Sequence, residues 1–285
     1  MNLICKICDN KNVNFWFEKN SFNLYKCRNC GFIFVAEYKN FSEIYSKDYF
    51  NGAKNGFGYV DYDKDKSAMS GAFGAYLDKI EKIIPEKGKL LDIGAATGYF
   101  LEMAGQRGWE ATGVEISEYA SEKARVKGLN IINGVLEDAD LSNETFDVIT
   151  FFDLIEHVPD PKTQLLTAYK FLKKYGLIVV NTPDSNSFYA KIMGKYWHAI
   201  APPEHLAIFN QPNFSLLLKK CGFEPIQFCK INKKFTLQYA FKILANWSGL
   251  SLAKKVAELL KNNILGSLSF PIYLRDNFFV IARKL

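Results

Sequence analysis

The apolar positions of this chain change period along its length. Between Asn12 and Lys26 aromatic and polar residues alternate (Phe15, Trp16, Phe17, Phe22, Leu24, Tyr25), the pattern of a β-hairpin, and "GFIFV" at 31–35 continues as a strand with Gly31 easing the turn. From Asp65 onward the apolar residues recur at helical spacing (Met69, Phe73, Tyr76, Leu77, Ile80), which predicts a helix ending before Pro85. "KLLDIG" at 89–94 is a continuous buried-strand run, and "TGYFLEMAGQRG" at 97–108 follows as a helix that stops at Gly108. "WEATGVEIS" at 109–117 predicts a second strand ending in Glu115, after which Ser117 caps a helix. Farther on, "GLIVV" at 176–180 reads as a strand, and "NFSLLLKKCGFEPIQF" at 213–228 as a helix, a stop at Gly222 and another strand. Residues 233–270 read as amphipathic helices and "RDNFFVIARKL" as a closing strand. Strand, glycine turn, helix, strand, helix is the first half of a doubly wound α/β fold, which binds ligands at the carboxyl ends of its strands.

Composition narrows the class. Hydrophobic residues make up 48% of 285, ordinary for a globular protein. No apolar run reaches the ~18 residues that span a bilayer. The opening "MNLICKICDN" has no signal-peptide core, so the expected location is cytoplasmic. Net charge is +6, and residues 216–285 carry twelve Lys and Arg against three Asp and Glu. A basic tail of this kind suits a solvated surface, nucleic acid or an anionic membrane. Its helical pattern suits packing on the core or on a second subunit, so a homodimer and peripheral membrane contact are both readings of the same residues.

Cys5 and Cys8, then Cys27 and Cys30, form two C-x2-C units separated by eighteen residues. In a cytosolic chain this spacing indicates a structural zinc site, each pair making a tight knuckle and the two knuckles supplying four thiolates in a tetrahedron. Metal would then provide folding energy that so small a unit cannot bury for itself. The expected organisation is a zinc ribbon over 1–38, a tyrosine-rich linker and lid helix over 39–84, and a main domain over 85–285. Within the last, 183–210 is a substrate loop and 233–272 a helical insert. Tyr59 and Tyr62 are the best-placed tyrosines for a lid over a ligand, with plain packing between ribbon and core as the alternative.

The loop Gly94-Ala95-Ala96-Thr97-Gly98-Tyr99 lacks the second and third glycines of the dinucleotide pattern G-x-G-x-x-G. It reads D-x-G-x-x-x-G, led by Asp92, and Glu115 lies about twenty residues beyond, where a carboxylate accepts the hydroxyls of a ribose. With "LLDIGAATGYF", "TGVEIS" and "FDVITFFDLIEHVPDP" in this order, the chain resembles the class I S-adenosylmethionine-dependent methyltransferases. The resemblance implies a Rossmann-like, seven-stranded, mostly parallel sheet with helices on both faces and an antiparallel last strand. It implies that Asp92 orders the loop, that Gly94, Ala95 and Gly98 approach the methionine part of the cofactor, that Glu115 binds the ribose and that Ile116 flanks the adenine. Phe152 and Asp153 would border the cofactor from the fourth strand. After the third strand Val135 stands where relatives often have an acidic residue, which leaves the adenine to the backbone at Leu136 or to Glu137.

Methyl transfer needs an acceptor aligned with the methyl group and a base for its proton. Asp153, Glu156 and His157 would share one face if a helical turn followed the fourth strand. His157 is the first candidate base; a structural turn and a divalent-metal cluster are the alternatives. "GKYWHAIAPPEHLAIF" at 194–209 resembles a segment of methyltransferases linked to surface-polysaccharide biosynthesis. On that resemblance Glu204 and His205 would bind or deprotonate an acceptor hydroxyl and Trp197 would stack on a sugar. The favoured expectation is O-methylation of a sugar, nucleotide-linked sugar or glycan precursor. The rivals are an RNA methyltransferase gripping RNA with ribbon and tail, and a scaffold that binds the cofactor without transfer.

Overall fold

A computed structural model describes residues 3–37, 47–50, 69–231, 233–237, 241, 251–260, 269–272 and 275–285. The lid tyrosines Tyr59 and Tyr62 lie outside the described residues. Strands β1 (Val13–Lys19), β2 (Phe22–Cys27) and β3 (Ile33–Val35) form the ribbon. After a single helical turn at Lys47–Phe50, helix α1 (Ser70–Glu81) buries the predicted stripe of Phe73, Tyr76, Leu77 and Ile80.

The main sheet has seven strands in the order β10-β13-β8-β7-β4-β5-β6. They are β4 (Lys89–Ile93), β5 (Glu110–Glu115), β6 (Asn130–Asn133), β7 (Phe146–Phe152), β8 (Leu172–Pro183), β10 (Phe223–Cys229) and β13 (Asn277–Lys284). β6, β5, β4, β7 and β8 run parallel; β13 is antiparallel to both β8 and β10. The strand order reverses at β4, so the switch-point crevice opens between the ends of β4 and β7. Helices α2 (Tyr99–Gln106), α3 (Glu118–Val126), α4 (Pro161–Phe171), α5 (Phe188–Met193) and α6 (Gln211–Lys220) connect the strands. Their caps follow the sequence: Ser117 accepts from the Ala120 N–H, Asp160 from Lys162 and Thr163, and Asn210 and Asn213 make a reciprocal capping box.

Two expectations change. The stretch 183–210 is not only a loop: it contains α5 and a short strand β9 (Ala207–Ile208), which pairs antiparallel with β3. The ribbon sheet is therefore four-stranded, β1-β2-β3-β9, and its last strand comes from the main domain. The region 233–270 is not wholly helical either. β11 (Lys233–Thr236) pairs antiparallel with β12 (Ser269–Ile272), and between them Ser251–Leu260 forms helix α7. Pro271 lies inside β12, a residue that a helix interior would not accept without losing a hydrogen bond.

Candidate functional site

The loop after β4 turns through three left-handed residues, Gly94 (φ 73°), Ala96 (φ 50°) and Gly98 (φ 81°). At φ 81° Gly98 holds a backbone that a side chain would strain, and an added Cβ would also displace the Leu129 methyl. The loop is strapped to β5: the Gly94 and Ala95 N–H groups donate to the Val114 carbonyl (2.8 and 3.1 Å). Glu115 completes the strap. Its Oε2 accepts from the Ala96 N–H and its Oε1 from the Ser117 N–H, each at 2.8 Å. Glu115 is buried, and desolvation pushes its carboxyl pKa up against the pull of those N–H donors. Each oxygen keeps a lone pair, so the carboxylate has acceptor capacity left for two hydroxyl groups. Asp92 accepts from Thr150 Oγ1 across β4–β7, ordering the strand end below the loop.

The remaining cofactor candidates surround this corner. Ile116 is half-buried, and its carbonyl accepts from Asn133 Nδ2 (3.3 Å). Leu136 lies buried in a one-turn helix, Leu136–Asp138, that follows β6, while Glu137 is engaged by Gln164 (2.7 Å). Phe152 packs against Tyr76 and Phe100, with ring centroids 4.6 and 4.8 Å apart.

The predicted helical turn after β7 forms without Asp153. Asp153 sits at φ 53°, and the chain continues as a single hydrogen-bonded turn, with the His157 N–H donating to the Leu154 carbonyl (2.8 Å). Asp153 therefore parts from Glu156 and His157, which stay together. Pro159 and Pro161 follow, and an X-Pro bond disfavours helical backbone before it. Asp153 accepts from Asn181 Nδ2, whose Oδ1 in turn accepts from Asn277 Nδ2 (2.6 Å). Glu156, fully buried, accepts from Thr182 Oγ1 (2.8 Å). His157 meets His205, ring to ring, with centroids 4.6 Å apart in an edge-to-face arrangement.

One carboxylate oxygen of Glu156 and one ring nitrogen each of His157 and His205 lie within 4.8 Å of one another. This cluster replaces the expected Asp153/Glu156/His157 set; among the described residues, neither Asp153 nor Glu204 joins it. Glu204, half-buried, is only the neighbour of His205. The His205 Nδ1 lies 2.6 Å from the Ala199 carbonyl, which can only accept, so Nδ1 is the donor and, in the neutral ring, Nε2 is the acceptor. Such an arrangement can take a proton or hold a divalent cation. Trp197 does not offer a sugar platform: it is fully buried and its Nε1 donates to Asp276 (3.0 Å). Asn181, Thr182 and Asn277 are the site residues that the sequence reading passed over. Two polar residues closing the apolar run "LIVV" were the signal for the first two.

The four cysteines of the ribbon also converge. Cys5 and Cys30 sulfurs are 3.6 Å apart, as are those of Cys8 and Cys27, and all four lie within 4.8 Å of one another. A tetrahedral zinc with Zn–S of ~2.3 Å needs sulfurs about 3.8 Å apart, so the residues fit that metal. The hydrogen bond from Cys30 pulls the Cys5 thiol down to about 5, and the same bond, with burial, holds Cys30 up.

A family model described as "Methyltransferase domain" matches residues 67–227, more than half of the chain. The chain belongs to this family. The ribbon lies outside the matched methyltransferase stretch. Among curated relatives, a ubiquinone biosynthesis O-methyltransferase of Idiomarina loihiensis is 34% identical over 34% of this chain and 43% of its own length. An uncharacterized protein of Methanocaldococcus jannaschii is 28% identical over 59% of this chain and 79% of its own. The matched stretch thus spans under half the length of the ubiquinone relative. A solved SAM-dependent methyltransferase of Thermotoga maritima superposes with a TM-score of 0.51 at 23% identity, covering 79% of this chain and 95% of that one. Geranyl diphosphate C-methyltransferase of Streptomyces coelicolor A3(2), solved with Mg2+, geranyl diphosphate and S-adenosyl-L-homocysteine, gives 0.50 at 14% identity over 76% of this chain and 77% of that one. These structures share the fold. No described helix is long and apolar enough to cross a membrane.

Proposed function

We propose that the chain methylates an oxygen of a small hydroxylated molecule, using S-adenosylmethionine, with His157 and His205 as the proton acceptors on the acceptor side. The observation that carries this reading is the meeting of two imidazoles beside buried Glu156, at the same carboxyl edge of the sheet as the Gly94–Gly98 loop. S-adenosylmethionine, when bound, supplies a methyl group on a positive sulfur that leaves as a neutral thioether. The chain's own part is to place and deprotonate. Glu115 would hold the ribose, and the Gly94–Gly98 backbone would line the amino-acid end. Nε2 of His205, or the facing nitrogen of His157, would take the acceptor's proton when the methyl group is transferred to its oxygen. Glu156, fixed by Thr182, favours the imidazolium that results.

For the acceptor we propose a sugar or glycan precursor, on the resemblance carried by 194–209. The ubiquinone biosynthesis O-methyltransferases among the chain's relatives favour a second reading, a hydroxyl of a ubiquinone precursor. The zinc assignment for Cys5, Cys8, Cys27 and Cys30 belongs to the same proposal. The test is transfer of label from radiolabelled S-adenosylmethionine to three pools: nucleotide sugars and glycan intermediates, ubiquinone precursors, and total RNA. Label in the first is the expected result; label in the second replaces the sugar with a ubiquinone precursor, and label in RNA alone overturns the small-molecule reading.

A further inference from the structure

The ribbon and the two-histidine centre share a continuous run of backbone hydrogen bonds. The Val35 N–H of β3 donates to the Leu206 carbonyl (2.9 Å). Leu206 and Ala207 in turn donate their own N–H groups to the Glu156 carbonyl (2.8 and 3.0 Å). One strand segment, immediately after His205, is thus pinned on one side to the ribbon and on the other to the turn that carries His157. At the other end of β9, Asn210 and Asn213 both donate through Nδ2 to the carbonyl of Cys30 (3.1 and 3.3 Å). A side chain at Gly31 would bring a Cβ to 3.0 Å from that Asn210 nitrogen, so the glycine leaves room for the grip. Asn20 reaches across from the β1–β2 turn to the Pro202 carbonyl (2.7 Å). Packing follows the same line: Leu24, Ile33 and Val35 of the ribbon share an apolar cluster with Trp197, Ala199, Ile200, Leu206 and Ile208. Ala199 is the residue whose carbonyl sets the His205 tautomer.

We infer that the four-cysteine ribbon is a positioning element of the candidate catalytic centre, holding His205 in its tautomer and against His157 through β3, β9 and the Cys30 carbonyl. The physical argument is one of anchoring. A metal that fixes the Cys30 sulfur fixes the same residue's carbonyl, and with it the start of α6 and the segment 199–210. Segment 199–210 buries Ala199, Ile200, Leu206 and Ile208 against the ribbon, and other backbone ties run to Glu156 and Ser185. The cofactor side is built differently. The Gly94–Gly98 loop and Glu115 are tied to β4 and β5, and the described hydrogen bonds of the ribbon go to residues 159, 202, 206, 207, 208, 210, 213 and 220 instead. Metal loss is therefore expected to loosen the acceptor side and spare cofactor binding. The inference rests on the proposed roles of His157 and His205 for its catalytic meaning, but its structural content is measurable without an acceptor.

The chain has only three histidines, His157, His198 and His205, so its imidazole spectrum is readable. The experiment is long-range 1H–15N correlation on the full-length, metal-loaded protein, with His157→Gln and His205→Gln used to assign signals. The expected result is a neutral His205 protonated at Nδ1. After zinc is removed with an organomercurial and chelator, that pattern is expected to disappear, while affinity for S-adenosylhomocysteine by calorimetry changes less than about threefold. Val35→Pro removes the β3 donor to Leu206 and leaves all four cysteines; with bound zinc unchanged, it is expected to disturb His205 in the same way. Persistence of the His205 pattern in both preparations would overturn the inference. So would a fall of tenfold or more in cofactor affinity in Val35→Pro, since the ribbon would then support the whole fold rather than one side of the site. Loss of the pattern alongside undiminished turnover in His205→Gln would retire the base assignment and leave the ribbon's hold on His205 standing.

Discussion

Tyr76 places a phenol at the centre of the molecule, fully buried and stacked between Phe152 and Phe279, and its hydroxyl has no hydrogen-bond partner among the described residues. A buried donor without a partner costs about 1–3 kcal/mol, so Tyr76→Phe is expected to stabilise the ligand-free protein by about 1 kcal/mol in chemical denaturation. Glu115 makes a prediction of the opposite kind. Burial raises its pKa above the usual 4.5. In the free protein this group's contribution to stability is therefore greatest at low pH and is lost as pH rises through the raised folded pKa. Cofactor binding runs the other way, because the ribose hydroxyls need the ionised acceptor. Affinity for S-adenosylhomocysteine is expected to fall as pH drops through that raised pKa, beginning above the range of an ordinary glutamate; Glu115→Gln should flatten this dependence in calorimetry between pH 5 and 8. For the histidines, substituting either His157 or His205 by Gln is expected to lower kcat by about 10²–10⁴-fold, with S-adenosylhomocysteine affinity preserved.

At the scale of elements, the glycines separate turn from helix. Gly98→Ala meets a left-handed backbone, with the Leu129 methyl able to move aside, and is expected to destabilise by about 1–2 kcal/mol. Gly71, in α1, has no atom within 4 Å of an added Cβ, so Gly71→Ala is expected to stabilise by a few tenths to about 1 kcal/mol; paired denaturation curves check both. The same contrast marks what the sequence made legible. The strand–glycine–helix unit around Gly94 and Gly98, the Ser117 cap, the Gly108 and Gly222 stops and the cysteine knuckles are local, each encoded within a few residues, and their elements formed as expected. The His157–His205 contact spans forty-eight positions and depends on β9 joining the ribbon, a two-residue strand with no periodicity to read. Asp153 was expected to face His157 on a helical turn; its left-handed backbone places it outside the Leu154–His157 turn. Trp197 looked like a platform in sequence, since nothing local announces Asp276, seventy-nine residues away, as its partner.

Over the whole molecule, the question is whether the excess of lysine forms an electrostatic surface for a polyanion. The C-terminal seventy residues hold twelve Lys and Arg, yet several are spent on intramolecular work. Lys219 pairs with Glu224 (3.4 Å), Lys220 with Asp9 of the ribbon and Lys230 with buried Asp184 (3.4 Å). Lys284 is almost fully buried, donating to the carbonyls of Tyr169 and Leu172 and to Glu144 while lying over the Tyr169 ring. It ties the end of β13 to α4 and β8, so its charge serves the fold. Neutralised and buried cations release few counterions on meeting a phosphate backbone, and the salt dependence of RNA binding scales with the number released. The expected outcome is weak association with total RNA, with Kd no tighter than the ~10⁻⁴–10⁻⁶ M of non-specific binding at physiological salt. The slope of log K against log salt should correspond to only a few phosphate contacts. Fluorescence anisotropy with labelled RNA across a salt series measures both. A steep slope with tight binding at low salt would instead mean that the lysines act together as one surface, and would move the RNA reading ahead of the small hydroxylated acceptor.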